Sequence, residues 1–72
     1  MSGYENMQAI KFDPLLNSKQ AAVILGLENH HTLEVWRSVK RYPELEYVRI
    51  GRKVKYRLSV LERFIERNTV SA

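Results

Sequence analysis

The side chains that could do chemistry in this chain are cations, and they are unevenly placed. Lys and Arg number 12 against 8 Asp and Glu in 72 residues, a formal net charge of +4. Residues 1–35 carry two cations against four carboxylates, residues 36–58 carry eight against two, and the remainder is balanced. A single stretch thus holds the whole excess, the footprint of a surface directed at a polyanion. Its centre, Val48 to Leu58, reads V-R-I-G-R-K-V-K-Y-R-L. Apolar and cationic residues alternate around a glycine, which predicts a β-hairpin. The alternation puts Val48, Ile50, Val54, Tyr56 and Leu58 on one face. Arg49, Lys53, Lys55 and Arg57 take the other, with Arg52 beside Gly51 at the tip. Such a ribbon suits a phosphate backbone. The blander reading is a strand edge kept soluble by its charges.

Other chemistry is poorly provided for. There is no cysteine, so disulfides, thiolate zinc and thiol catalysis are excluded. Ser18, Ser38, Ser59 and Ser71 have no base at a useful spacing, and the carboxylates are scattered. Gly51 stands alone, without a glycine-rich phosphate loop. His30 and His31 are the only histidines. Neighbours on a helix diverge by about 100°, so the pair is not expected to clamp a metal. No enzyme activity, metal or cofactor is therefore expected. No apolar run reaches the roughly 20 residues of a membrane span, and the first residues lack the pattern of a secretory signal. The expected address is cytoplasmic.

The elements that must hold these cations can be read from caps and periodicity. Residues 1–14 show no sustained period and are expected to be a flexible tail, ending in the turn signal Asp13-Pro14. Asn17 and Gln20 have the spacing of a capping box, and Leu16 with Ala21 that of a hydrophobic staple. A first helix follows over about Ser18 to Leu25, closed by Gly26. Asn29 can cap a second helix from His30 to about Arg41, barred from continuing by Pro43. Its spacing groups Leu33, Trp36 and the stem of Lys40 on one side. His31, Val35, Ser38 and Tyr42 fall on the other. After the hairpin (Tyr47 to Leu58), Ser59 and Glu62 form another capping box. It opens a third helix, Val60 to Arg67, with Leu61, Phe64 and Ile65 on its apolar side. Residues 15–67 are thus expected to form one domain, and 68–72 a short tail. Trp36, Tyr56 and Phe64 are read as core.

Two short helices joined by a tight turn form a candidate helix-turn-helix, and a basic hairpin followed by a helix completes the order of a winged one. The fold class expected is small α+β, winged helix-turn-helix. On that reading His30, His31, Thr32, Glu34, Val35 and Ser38 meet the major groove. A valine suits a thymine methyl, and Glu34 could accept from cytosine. Ser18, Lys19, Arg37, Lys40 and Arg41 anchor the backbone. Arg49, Arg52, Lys53, Lys55 and Arg57 arm the wing, with the tip able to enter an adjacent minor groove.

Several spaced motifs then agree. Leu15-Leu16-Asn17-Ser18-Lys19-Gln20-Ala21-Ala22, Leu25-Gly26-Leu27, Leu33, Trp36-Arg37, Tyr47-Val48-Arg49-Ile50-Gly51-Arg52, Val54-Lys55-Tyr56-Arg57 and Leu61-Glu62-Arg63-Phe64 together resemble the excisionase-type helix-turn-helix family. That family is akin to the MerR DNA-binding domain and the AlpA-like phage regulators. The resemblance spans about residues 15–67. It implies a double-stranded DNA partner and an architectural role beside a site-specific integrase, with DNA bending and cooperative self-association on DNA. A small phage or plasmid transcriptional regulator is the alternative with the same fold. A protein-interaction module docking an acidic partner through the hairpin is the alternative from another class.

Overall fold

The structure is a computed structural model, and it describes residues 12–70. Six elements occur among them, in the order β1 (Leu15–Asn17), α1 (Ser18–Leu25), α2 (His31–Val39), β2 (Val48–Ile50), β3 (Lys53–Arg57) and α3 (Leu58–Arg67). They make a small α+β fold with three helices and one antiparallel sheet of strand order β1-β3-β2. The tail expected over residues 1–14 lies largely outside the described residues, as do residues 71–72. Among the described residues no helix is long and apolar enough to cross a membrane.

The first helix forms as its caps dictate. Asn17 accepts from the Gln20 amide at 2.8 Å, and Gln20 Oε1 accepts from the Asn17 amide at 2.9 Å. Gly26 takes the left-handed conformation, φ +74°. There the Leu27 amide reaches Ala22 O and the Gly26 amide reaches Val23 O, a Schellman ending. Leu15 to Asn17, expected only as the approach to this helix, also pair with β3 (Leu16 opposite Tyr56). The sheet therefore has one strand more than the hairpin expected.

The second helix is shorter than expected at its C-terminus. Asn29 accepts from the His31 amide at 2.8 Å, as a capping side chain should. The helix ends at Val39, however, and not near Arg41. Lys40 is left-handed with φ +54°, and the Arg41 amide closes on Trp36 O. Ending here turns Tyr42 inward, against its expected place on the open side. Its ring meets Trp36 edge-on at 4.7 Å and Phe64 at 5.2 Å.

The third helix starts two residues early and is capped from outside. Ser59 does not act as its N-cap. Asp13 does the capping, accepting from the Ser59 amide at 3.0 Å and from its hydroxyl at 2.7 Å. The Leu58 amide reaches Pro14 O at 3.0 Å. Asp13 and Pro14, expected in the tail, thus stitch the chain ahead of β1 to the start of α3. At the other end Asn68 Nδ2 and Thr69 Oγ1 donate to Phe64 O and Ile65 O. The buried side of α3 is Val60, Leu61 and Phe64, and Ile65 is exposed.

The core gathers Ala21 and Ala22 of α1, Leu33 of α2, Leu45 of the connector, Tyr56 of β3, and Val60, Leu61 and Phe64 of α3. Leu16, Leu25, Leu27, Trp36, Tyr42 and Val54 pack around it. The paired alanines let α1 approach the sheet and α3 closely, which is how so short a helix is held. Trp36 is half-buried, and Tyr56 and Phe64 are buried, as expected of core residues.

Candidate nucleic-acid interface

The register of the hairpin overturns the expected separation of its faces. Val48 lies opposite Lys55, Arg49 opposite Val54, and Ile50 opposite Lys53. Residues directly opposite in an antiparallel pair share a face. The two-residue loop Gly51-Arg52 inverts the parity of the alternation between strands. One face therefore carries Val48, Ile50, Lys53, Lys55 and Arg57, and the other carries Arg49, Val54 and Tyr56. Gly51 supplies the positive φ, +61°, that a two-residue hairpin loop needs at its first position. Ile50, expected in the core, is 53% exposed. The register places Ile50 with Lys53 and Lys55, on the face opposite buried Tyr56. The cations are accordingly not a single row. Lys53, Lys55 and Arg57 share one face, Arg49 sits on the opposite one, and Arg52 occupies the tip.

The structure brings the start of α1, the head of α2 and the hairpin together. Asn17, Ser18 and Lys19, His30, and Lys53, Val54 and Lys55 line one open cleft. Two expected backbone anchors, one expected groove residue and two wing cations thus converge. Arg57 is not part of this group and lines a separate hollow with Glu46, Tyr47, Val48 and Val60.

Along α2 the expected reading side is open to solvent. Val35 is 57% exposed, and the His31 side chain is 65% exposed. Ser38 and Glu34 are exposed, while His30 and Thr32 are half-buried. His31 Nδ1 and Glu34 Oε1 are 3.2 Å apart. The hydrogen bond to His31, with the nearby charges of His31, His30 and Arg37, holds the Glu34 carboxyl below the ordinary value for its type. The two histidine rings do not diverge as consecutive helical residues would. His30 has helical backbone angles (φ −67°, ψ −16°) just ahead of the first residue of α2, yet its ring stacks on His31 with centroids 4.4 Å apart and planes at 30°.

The cations at the far end of α2 are built into the surface. Arg37 is half-buried; its Nη1 donates to the Tyr56 hydroxyl at 2.6 Å. Its guanidinium also lies 5.5 Å from the Tyr47 ring centroid and 6.0 Å from that of Tyr56. Arg41 donates from Nε to the Tyr42 hydroxyl at 3.2 Å. Arg37 and Lys40 also border an apolar hollow of about 420 Å³ with Leu33, Trp36, Tyr42 and Tyr47. Sequence reasoning missed the tyrosine cradle of Arg37. The signal for it is Tyr47 and Tyr56 bracketing the hairpin, with a cation at the last turn of the preceding helix.

No protein-family model matches the chain, and no curated protein or solved structure matches it. The resemblance to excisionase-type proteins rests on the spaced motifs alone.

Proposed function

We propose that this chain is a sequence-specific double-stranded DNA-binding protein without enzymatic activity, built as a winged helix-turn-helix. On this reading α1 braces α2, the exposed side of α2 enters the major groove, and the β2–β3 hairpin is the wing. The observation that carries it is the cleft in which Lys53 and Lys55 of the wing meet Ser18, Lys19 and His30. The cleft reaches α2 through His30, whose ring stacks on that of His31, the first residue of the exposed side of α2. Cations that grip phosphates then lie beside side chains able to read base edges, the division of labour that specific recognition uses. Arg49 and Arg57 stand apart from that cleft and serve the backbone from its flanks.

The cellular role follows from the family resemblance. The protein acts as an excisionase-like accessory beside a site-specific integrase, in the cytoplasm and on the nucleoid. Bending DNA costs of order 1–6 kcal/mol, which the binding of several cooperating copies offsets.

The primary test is a gel shift across salt. Engagement of about five phosphates gives a log–log slope near −4.5. A flat salt response, or no affinity for duplex DNA, would point instead to an acidic protein partner and refute the reading. A recombination assay with an integrase encoded beside the gene tests the finer role. Excision unaffected by the protein, with promoter occupancy in its place, would make it a transcriptional regulator.

A further inference from the structure

We infer that His30, His31 and Glu34 form a binding site for a borderline divalent metal ion, with Zn²⁺ as the reference case, at the head of α2. Among the described residues these three supply a nitrogen or carboxylate donor within 4.8 Å of one another. Their types match the ion, since imidazole and carboxylate are established zinc ligands.

The geometry is close to that of a coordination edge. His31 Nδ1 and Glu34 Oε1 stand 3.2 Å apart. Two ligands at about 2.0–2.2 Å from a tetrahedral zinc lie about 3.3–3.5 Å from each other. The gap now bridged by a hydrogen bond is therefore nearly the gap an ion would span. The Asn29 side chain holds the His31 amide, which fixes the start of the helix and the i, i+3 relation of His31 to Glu34. His30, stacked on His31, is placed to add the third donor by rotation of a half-exposed side chain. Three protein ligands on an exposed surface leave a fourth position for water or another small ligand. The site faces an adverse field, because the helix N-terminus is positive and Lys53 and Lys55 share a cleft with His30. One carboxylate offsets part of this, so the expected affinity is micromolar.

Metal binding here does not depend on DNA binding, and its test contains no DNA. The full chain is titrated with zinc chloride at neutral pH, followed by calorimetry and by ¹H–¹⁵N shifts of the histidine rings. One ion per chain should bind, with the shifts confined to His30, His31 and neighbouring amides. H31Q should weaken binding more than tenfold, H30Q and E34Q severalfold, and each variant should keep the wild-type circular dichroism. Copper(II) should bind more tightly than zinc, following the Irving–Williams order, and magnesium should not compete. Absence of saturable zinc binding at submillimolar concentration overturns the inference. So does unchanged affinity in a H30Q/H31Q double variant.

Discussion

Arg37 and Tyr56 are joined across the molecule. Arg37 Nη1, on α2, donates at 2.6 Å to the hydroxyl of Tyr56, which is 0% exposed. The bond ties α2 to β3 and leaves the other guanidinium donors beside Tyr47. Tyr56→Phe keeps the ring and removes the partner. It should cost about 1.5–3 kcal/mol in chemical denaturation, the usual net value of a hydrogen bond to a charged group. DNA affinity should fall too, because Arg37 loses its fixed position. Arg37→Lys should not recover either property, since an ammonium cannot keep both the bond and the stacking on two rings. A Tyr56→Phe protein with unchanged stability and unchanged binding would show that the hydrogen bond positions nothing.

Lys53 and Lys55 share a face and a cleft, so they should act as one electrostatic unit. The double substitution K53E/K55E should weaken duplex binding on all sequences alike. The salt slope should become shallower by about 1.8, or 0.9 for each phosphate no longer neutralised. Fluorescence anisotropy at several salt concentrations measures this directly. The wing's lysines would be bystanders if the slope did not change.

His31 and Ser38 occupy the open side of α2 and should govern preference more than strength. His31→Ala or Ser38→Ala should alter discrimination at individual base pairs by about 1–3 kcal/mol, with little change in the salt slope. Selection of bound sites from a random pool, compared between variant and parent, resolves the two effects. Identical behaviour of these variants and K53E/K55E would contradict the separation of roles.

Much of the fold is legible in the sequence because its signals are local. The Asn17–Gln20 box, Gly26 and Asn29 act within four residues, and the helices start or stop where those side chains demand. What escapes local reading depends on partners distant in the chain. Asp13 caps a helix 46 residues away, so the S-x-x-E spacing at Ser59 pointed to the wrong source of the cap. The hairpin faces escaped for a different reason. Alternation fixes which residues share a face within one strand, but the loop length sets how the two strands are phased. In the candidate site, the exposed residues of α2 were legible from helical periodicity. The cradle of Arg37 was not, because Tyr47 and Tyr56 come to it from another part of the chain.

Lys40 carries a strain that glycine would relieve. It is the one non-glycine among the described residues with positive φ, +54°, at the end of α2. Lys40→Gly should stabilise the fold by up to about 1 kcal/mol, since glycine adopts this conformation without steric cost. It also removes a proposed backbone anchor, so DNA binding should weaken as the melting temperature rises. Stability and affinity moving in opposite directions is the diagnostic outcome. A variant that melts lower would show that the Lys40 side chain, which borders the hollow lined by Leu33 and Trp36, matters more than the backbone strain.

Asp13 links the acid sensitivity of the fold to the start of α3. The Ser59 amide hydrogen bond, then the Ser59 hydroxyl bond, hold its carboxyl below the ordinary aspartate value of 3.8, with Arg57 and Arg63 adding to the effect. A group whose pKa is depressed by folding favours the folded state most when it is ionised. Its contribution is therefore complete well above pH 3.8 and fades as pH falls through the lowered folded value. Asp13→Ala should lower the melting temperature at pH 7 and flatten its decline in acid. Asp13→Asn should lie between, because its amide oxygen can accept one of the two bonds but carries no charge. Ser59→Ala removes the hydroxyl bond and spares the amide bond, so it too should be intermediate. Glu34 is also held below its ordinary value, through His31. Glu34→Gln is therefore needed beside the Asp13 variants to separate the two carboxylates. Thermal melts from pH 7 to pH 2 in which Asp13→Ala parallels the parent at every pH would show that this cap contributes nothing to folding.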